Sequence, residues 1–237
     1  MLDLTFFRDR DFFRSMLIIA LPVAFQQLIS ASLNMIDVLM VGRLGESSIA
    51  SIGLANQLFF LLILFVFGVT SGMAIFTAQY WGKGDIPNIR RVLGISLVVS
   101  TGVGVMFALI AVLFPERVLS FYSTDPEVIR IGASYLRIVG FSYPLVAITT
   151  SYTSVLRSIT LVKLTAFVTV AALILKTGLG YLLIFGIGSL PALGVRGAAF
   201  GTLTAWAFQL LLLLFCVYRL RTPLAANPLT FFHFDRP

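Results

Sequence analysis

The sequence has little of what keeps a protein in water. Only 11% of its 237 residues are charged and 59% are hydrophobic, whereas soluble domains carry about 25% charged residues. It contains one cysteine, Cys216, and one histidine, so we expect neither an internal disulfide nor a metal site. A GxxxxGK phosphate loop is also missing, which leaves ATP hydrolysis unsupported. These absences argue against an enzyme and against any bound cofactor.

Long apolar runs take the place of charge. The longest, residues 47–82, holds 36 residues without a charged side chain. A bilayer core about 30 Å thick needs roughly 20 apolar residues in a helix, whereas a transmembrane strand needs only about 9–11. The sequence therefore predicts an all-α integral membrane protein, a bundle of six transmembrane helices surrounded by lipid. Charged and turn residues place the six spans at 16–41, 51–78, 93–114, 132–156, 164–185 and 195–218.

Lys and Arg are unevenly divided between the two sides of such a bundle. Six spans put both termini on one side, and that side collects 11 basic residues against four on the other. Because cytoplasmic loops carry the excess of Lys and Arg, we expect both termini in the cytoplasm and the lobe in the cell (plasma) membrane. The prediction comprises a cytoplasmic amino-terminal segment (1–15), a six-helix lobe (16–218) and a cytoplasmic linker (219–237). The formal charge of +7 then reflects topology, and no nucleic-acid partner is expected.

A short sequence near the start recurs near the end. Residues 4–7 and residues 229–232 both read Leu-Thr-Phe-Phe, and charged residues follow each copy. The first copy introduces the first span, so the second indicates the beginning of another repeat. Transporters are often built from two halves that meet at the substrate site. We therefore expect a carboxyl-terminal lobe as the partner of this chain.

Four polar residues lie on one face of the first predicted span. Gln27, Ser30, Asn34 and Asp37 are spaced 3, 4 and 3 residues apart, which is a helical period. Since an aspartate at the centre of a membrane helix costs about 2.5–3.5 kcal/mol, this face should point into the bundle. We interpret Asp37, with Asn34, as the cation-coupling site. Burial would raise the affinity of Asp37 for H⁺, and coordination of Na⁺ by the same oxygens is the competing interpretation; interhelical hydrogen bonding is the structural alternative.

Two further features bear on Asp37. Pro22 lies on the same span and removes a backbone donor, so it could serve as a hinge that couples Asp37 to helix shape, or simply as a structural kink. Lys176, one turn before Gly180 on the fifth span, lies about one turn from the depth of Asp37. An ion pair between Lys176 and Asp37 would hold the carboxylate ionised and argue against an easily protonated acid.

Nine short segments occur in the same order as in a known family of membrane transporters. They are Ala20-Leu21-Pro22, Asn34-Met35-Ile36-Asp37, Val41-Gly42-Arg43-Leu44-Gly45, Ala78-Gln79-Tyr80-Trp81-Gly82-Lys83-Gly84-Asp85, Asp125-Pro126-Glu127, Tyr135-Leu136-Arg137, Leu156-Arg157-Ser158, Tyr181-Leu182-Leu183-Ile184-Phe185-Gly186 and Pro191-Ala192-Leu193-Gly194-Val195 with Gly197-Ala198-Ala199. Together they span nearly the whole chain. In this ordered set the chain resembles the multidrug and toxic compound extrusion (MATE) transporters.

The resemblance implies the amino-terminal lobe of a two-lobe, twelve-helix antiporter that exports organic cations and drugs in exchange for H⁺ or Na⁺. It also implies that Asp37 is the essential first-helix acid and that Thr202 lies near the cation pocket. The pocket residues that we expect are Gln27, Ser30, Lys176, Gly180 and Thr202. Two departures stand out: Lys176 and Gly180 occupy positions where members often carry Asn or Asp, and Thr160 replaces the usual glycine after Leu-Arg-Ser.

Two other functions stay open at this point. One is a flippase of the same superfamily that moves a lipid-linked polysaccharide, for which the membrane-embedded cations Lys176 and Arg137 are the hints. The other is a membrane fragment that transports nothing by itself and only binds a partner lobe. Flux measured with and without that lobe separates these alternatives.

Overall fold

The computed structural model describes residues 10–186 and 191–225. Eight α-helices account for most of these residues: α1 (Arg10–Gly42), α2 (Glu46–Gly82), α3 (Ile86–Leu113), α4 (Pro115–Ser120), α5 (Pro126–Val139), α6 (Tyr143–Ser158), α7 (Val162–Phe185) and α8 (Val195–Arg219). Within the described part, six segments are long and apolar enough to cross a membrane: Val23–Gly42, Glu46–Gly82, Ile86–Leu113, Pro126–Ser158, Val162–Phe185 and Val195–Arg219. The prediction of an all-α, six-span protein is confirmed.

The short connections between spans are defined by turn and cap residues. Asp85 accepts a hydrogen bond from the Asn88 amide (3.2 Å) and begins α3, and Asp125 accepts one from the Glu127 amide (2.8 Å) and begins α5. Such caps satisfy backbone donors that the first helical turn leaves free. We call the two ends of the bundle the Gly45 end, where α1 meets α2, and the Lys83 end, where α2 meets α3.

The fourth span is interrupted, although its sequence predicted one continuous helix over 132–156. It consists of α5 and α6 joined by a 3₁₀ turn, Gly140–Ser142. Pro144 lies in the first turn of α6, where its missing amide donor costs nothing. Gly140 lies so close to α3 that a Cβ atom there would be 2.9 Å from the Cβ of Ala111. The predicted loop 115–126 likewise contains a short helix, α4.

Apolar side chains form two buried clusters in the middle of the bundle. The cluster nearer the Gly45 end is built around Leu62, Leu136 and Tyr143, which come from α2, α5 and α6. The cluster at the Lys83 end is built around Leu156 and Leu213, from α6 and α8. The span formed by α5 and α6 contributes to both, and 56% of its most apolar window is buried. It is therefore the central span of the lobe.

Small residues bring α7 and α8 close together beside this core. A Cβ atom on Gly197 would collide with the carbonyl group of Leu183, and one on Gly201 would lie 3.2 Å from the Cα of Gly180. Close approach at glycines is the usual way in which membrane helices pack, since lipid gives no hydrophobic drive for association. The α7–α8 pair provides one wall of the site described below, with α1 packed against α7.

Parts of the predicted terminal segments lie outside the described residues. These are residues 1–9 of the amino-terminal segment (1–15) and residues 226–237 of the linker (219–237), which include both Leu-Thr-Phe-Phe copies. The described start of the linker folds back on the lobe. Arg90 donates a hydrogen bond from Nε to the carbonyl oxygen of Pro223 (2.8 Å), and Leu224 is fully buried. The assignments of these segments and of their cytoplasmic location stay predictions.

Candidate functional site

A cavity of about 660 Å³ lies between α1, α2, α5, α7 and α8, in the half of the bundle nearer the Gly45 end. Its volume is in the range of about 300–1,000 Å³ that is typical of small-molecule sites. Most of its wall is apolar and includes the aromatic rings of Phe59 and Trp206. The polar side chains in the wall are Ser30, Asn34, Asp37, Asn56, Tyr135, Thr169, Lys176, Thr202 and Gln209.

Asp37 and Lys176 form an ion pair in this wall. The Oδ2 atom of Asp37 lies 2.6 Å from the Nζ atom of Lys176, and the two side chains are 19% and 26% exposed. The hydroxyl group of Thr177, the next residue on α7, donates to Oδ1 of Asp37 at 3.4 Å. Two adjacent residues of one helix therefore hold both oxygens of a carboxylate on another. This is the pair that the similar depths of Asp37 and Lys176 predicted.

The pair fixes the formal charge of the cavity. Among the described residues that line it, Asp37 and Lys176 are the charged side chains, so their charges cancel. Either charge alone would be costly in a partly buried wall of low dielectric constant, whereas the pair compensates each charge with the other. A ligand that carries a charge must therefore compete with one partner for the other.

A hydrogen bond connects α7 and α8 in the deeper part of the cavity. Gln209 on α8 donates to the hydroxyl group of Thr169 on α7 at 3.3 Å. Such a contact is the helix–helix hydrogen bond that polar groups make in membrane bundles. The hydroxyl groups of Tyr135 on α5 and Thr202 on α8 add further polar groups to the wall.

The cavity brings together most of the residues that the sequence predicted. Its wall contains the predicted residues Ser30, Asn34, Asp37, Lys176, Gly180 and Thr202. Gln27 is the exception, because it is exposed and lies outside the wall. At 100° per residue, Gln27 is rotated by about 80° from Asp37 around α1, whereas Gln26 is rotated by about 20°. The prediction that Gln27 faces the pocket is therefore corrected.

Gln26 makes the second polar attachment of α1. It is 4% exposed and accepts a hydrogen bond at 3.3 Å from the guanidinium group of Arg157 at the end of α6. Pro22 lies within α1, one turn from Gln26 toward the Lys83 end, and its role as a hinge stays a prediction. Sequence reasoning missed Gln26, Thr177 and the pocket role of Tyr135. Gln26 could have been found from its helical spacing to Ser30 and Asp37, because this spacing places it on the face of α1 that carries the ion pair.

The fold and this charged cavity define a multi-pass membrane protein of the transporter class. A model of the MatE family matches residues 22–182, which is more than half of the sequence. The chain belongs to the MATE transporter family, whose members are not enzymes.

Known relatives in this family are about twice as long as this chain. It is 33% identical over 191 residues to the "probable multidrug resistance protein NorM" of Rhizobium meliloti, covering 81% of this chain and 41% of the relative. It is 28% identical over 212 residues to the "probable multidrug resistance protein YoeA" of Bacillus subtilis, covering 89% of this chain and 46% of the relative. The solved structure of a MOP superfamily transporter from Pyrococcus furiosus superposes with a TM-score of 0.81 at 21% identity, covering 92% of this chain and 47% of that transporter. The chain thus spans about half the length of the relatives it matches.

Proposed function

We propose that this chain is one lobe of a secondary transporter that exports organic cations in exchange for H⁺ or Na⁺. The observation that carries the proposal is the carboxylate of Asp37, held in the wall of a largely apolar cavity by a side-chain ammonium group. An organic cation has the same two features, a positive charge and an apolar body. It can occupy the cavity by taking the place of the Lys176 ammonium beside Asp37.

Uncharged side chains of the wall also suit an organic cation. Phe59 and Trp206 offer aromatic faces, which attract cations by about 0.5–2 kcal/mol when water is excluded. Asn34 adds an amide one turn from Asp37 on α1, close enough along the helix to assist in binding a cation. If the wall cannot hold the substrate cation and the coupling ion at the same time, their binding is mutually exclusive, which is the requirement for exchange.

A second lobe completes the proposed transporter. The relatives are about twice as long as this chain, and transporters of two repeats place the substrate site where the repeats meet. Several relatives are bacterial multidrug resistance proteins, which supports drug-like substrates and a bacterial inner membrane. The excess of Lys and Arg at the Lys83 end supports placing that end in the cytoplasm.

The test is Asp37→Asn in the chain assembled with a carboxyl-terminal lobe in proteoliposomes. We expect ethidium efflux driven by an imposed H⁺ or Na⁺ gradient to be lost, because the amide keeps the shape and removes the charge that attracts a cation. Membrane insertion should be unchanged. Asp125→Asn is the matched control, since Asn caps a helix as well as Asp does and Asp125 lies outside the cavity.

The same assay separates the alternatives. Undiminished efflux by Asp37→Asn would remove Asp37 from the mechanism. Flux by the chain without the second lobe would show that one lobe suffices, and no flux with either lobe arrangement would favour a fragment that only binds a partner. Imposing the H⁺ and Na⁺ gradients one at a time identifies the coupling ion.

One observation favours a second candidate, transport of an anionic headgroup such as that of a lipid-linked polysaccharide. Lys176 places a cation in the cavity, and the Pyrococcus furiosus transporter of similar fold is described as having a binding pocket of reverse polarity that suggests a different function. For this candidate Lys176 would bind phosphate while Asp37 is displaced. Competition of ethidium uptake by an anionic lipid headgroup, lost in Lys176→Gln, would support it.

A further inference from the structure

From the contacts of Lys176 we infer that this lysine, and not Asp37, carries the exchanged proton: an organic cation takes over Asp37, and the Lys176 ammonium then releases H⁺. The inference rests on the proposed function and specifies its coupling step. It goes beyond the resemblance to the family, because Lys176 is one of the positions where this chain departs from the usual pattern.

The first step of the argument is the geometry of the resting site. Lys176 Nζ lies 2.6 Å from Asp37 Oδ2, and both side chains face the cavity. The ammonium group therefore occupies the position that a substrate cation needs. Thr177 holds the other carboxylate oxygen, so a cation that enters finds Asp37 already oriented and has to displace only Lys176.

The second step follows from the charges that face Lys176. In the described wall, α1 contributes Asp37, α5 contributes the neutral phenol of Tyr135, and α2 and α8 contribute amide and hydroxyl groups such as Asn56 and Thr202. No second carboxylate in that wall can receive the displaced ammonium. A charged amine without a counter-ion in a wall of low dielectric constant is strongly disfavoured relative to the neutral amine.

The third step is the balance of charge and protons. Before binding, the wall holds one carboxylate and one ammonium and is neutral. When an organic cation pairs with Asp37, an N–H bond of the Lys176 ammonium breaks, the nitrogen keeps the electron pair, and the proton leaves through water in the cavity. The loaded site again holds one negative and one positive charge, and Asp37 stays ionised throughout.

The alternative, protonation of Asp37 itself, fails this balance. A proton on Asp37 would leave the Lys176 ammonium unpaired, so the wall would carry a net positive charge. Removal of one partner from a pair that is largely withdrawn from water is costly because the other charge remains without compensation. Lysine is suited to the step because its ammonium group can lose a proton when it is left without a counter-ion away from water, whereas an arginine stays charged.

The experiment measures protons released when ethidium binds to the transporter assembled with its second lobe, in weakly buffered detergent solution with a pH-sensitive dye. For the unsubstituted protein we expect one proton per ethidium bound. Lys176→Arg should release none and bind ethidium more weakly, because the guanidinium cannot leave as a neutral group. Lys176→Gln should release none and bind roughly tenfold more tightly, because no internal cation competes for Asp37.

Two variants make the result decisive. Lys163→Arg changes an exposed lysine at the start of α7 and should behave like the unsubstituted protein. The double variant Asp37→Asn with Lys176→Gln keeps the wall neutral and reports whether loss of the pair alone unfolds the lobe. Proton release that persists in Lys176→Arg or Lys176→Gln would overturn the inference and return the proton to Asp37. Ethidium binding without any proton release in the unsubstituted protein would also overturn it while leaving cation export intact, whereas absence of ethidium binding would count against the proposed function itself.

Discussion

Helix α1 and the span formed by α5 and α6 are held in the lobe by different forces. Only 11% of the most apolar window of α1 is buried, against 56% for the α5–α6 span. The first is attached by two polar contacts, Gln26 with Arg157 near its middle and Asp37 with Lys176 near its carboxyl-terminal end. The second is fixed by apolar packing along its whole length.

This difference suits a division of work between the two regions. Apolar packing against α2, α3 and α8 is insensitive to small changes in charge, so the α5–α6 span can serve as a rigid frame. A helix that is held by an ion pair can change its position when one partner of that pair is exchanged for another cation. The outer face of α1 carries large exposed apolar residues such as Phe25, Leu28 and Met35, which suits contact with lipid or with a second lobe.

The largest effect that distinguishes the two regions should come from leucine truncations. Leu156 on α6 is fully buried, whereas Leu28 on α1 is 64% exposed. Leu156→Ala should lower the free energy of unfolding by about 3 kcal/mol, because it leaves a cavity that neighbouring side chains cannot fill. Leu28→Ala should change it by less than about 0.5 kcal/mol. Unfolding of both variants in detergent micelles measures the difference, and equal losses would contradict the contrast.

A smaller effect should come from glycines on α3, the helix that packs on α6. A Cβ atom on Gly104 would lie 3.0 Å from the Cβ of Ala147 and from the carbonyl oxygen of Tyr143, whereas one on Gly102 would meet nothing within 4 Å. Gly102→Ala should stabilise the helix slightly, and Gly104→Ala should be less stable than Gly102→Ala by about 2 kcal/mol.

The two glycines are one another's control, because they lie on the same helix two residues apart and receive the same substitution. Thermal unfolding of the two variants gives the comparison directly. If both are stabilised alike, α6 can move away from α3 at low cost, and the frame is softer than its burial indicates.

Much of the fold was predictable because lipid imposes simple demands. Length and polarity alone give the six spans, and the depths of Asp37 and Lys176 within their spans give the ion pair. The rotation of α1 was harder, since a 3, 4, 3 spacing through Gln27 describes a face without fixing which neighbour it meets. Gln26, one residue earlier, is the one that turns inward.

The interruption of the fourth span shows a second limit. Pro144 is a local signal for the break, because it cannot donate to the carbonyl of residue 140, but a proline within an apolar run is also compatible with a mere kink. The close approach of α3 at Gly140 is a tertiary contact that local sequence does not report. The cavity wall was only partly predictable. Polar residues within spans are visible in the sequence, whereas apolar wall residues such as Phe59 look like any lipid-facing or packing residue.

The smallest effect concerns Thr160, the second residue after α6, where this chain departs from the glycine that the resemblance implies. Thr160 has a φ of 66°, in the left-handed region that a β-branched residue rarely adopts. Its amide donates to the carbonyl of Arg157 (3.0 Å) and that of Leu161 donates to Leu156 (2.9 Å), which is the hydrogen-bond pattern of a Schellman motif that glycine favours.

Thr160→Gly should therefore raise the free energy of unfolding by about 1 kcal/mol, since it removes the steric cost of the left-handed conformation while the hydrogen bonds remain. Thr160→Ala is the matched control, because it removes the branched side chain but keeps a Cβ atom, and it should gain less. Thermal unfolding of the two variants measures the difference. Equal gains would assign the strain to the branched side chain alone, and a loss in Thr160→Gly would mean that the threonine contributes more at the end of this rigid span than its backbone costs.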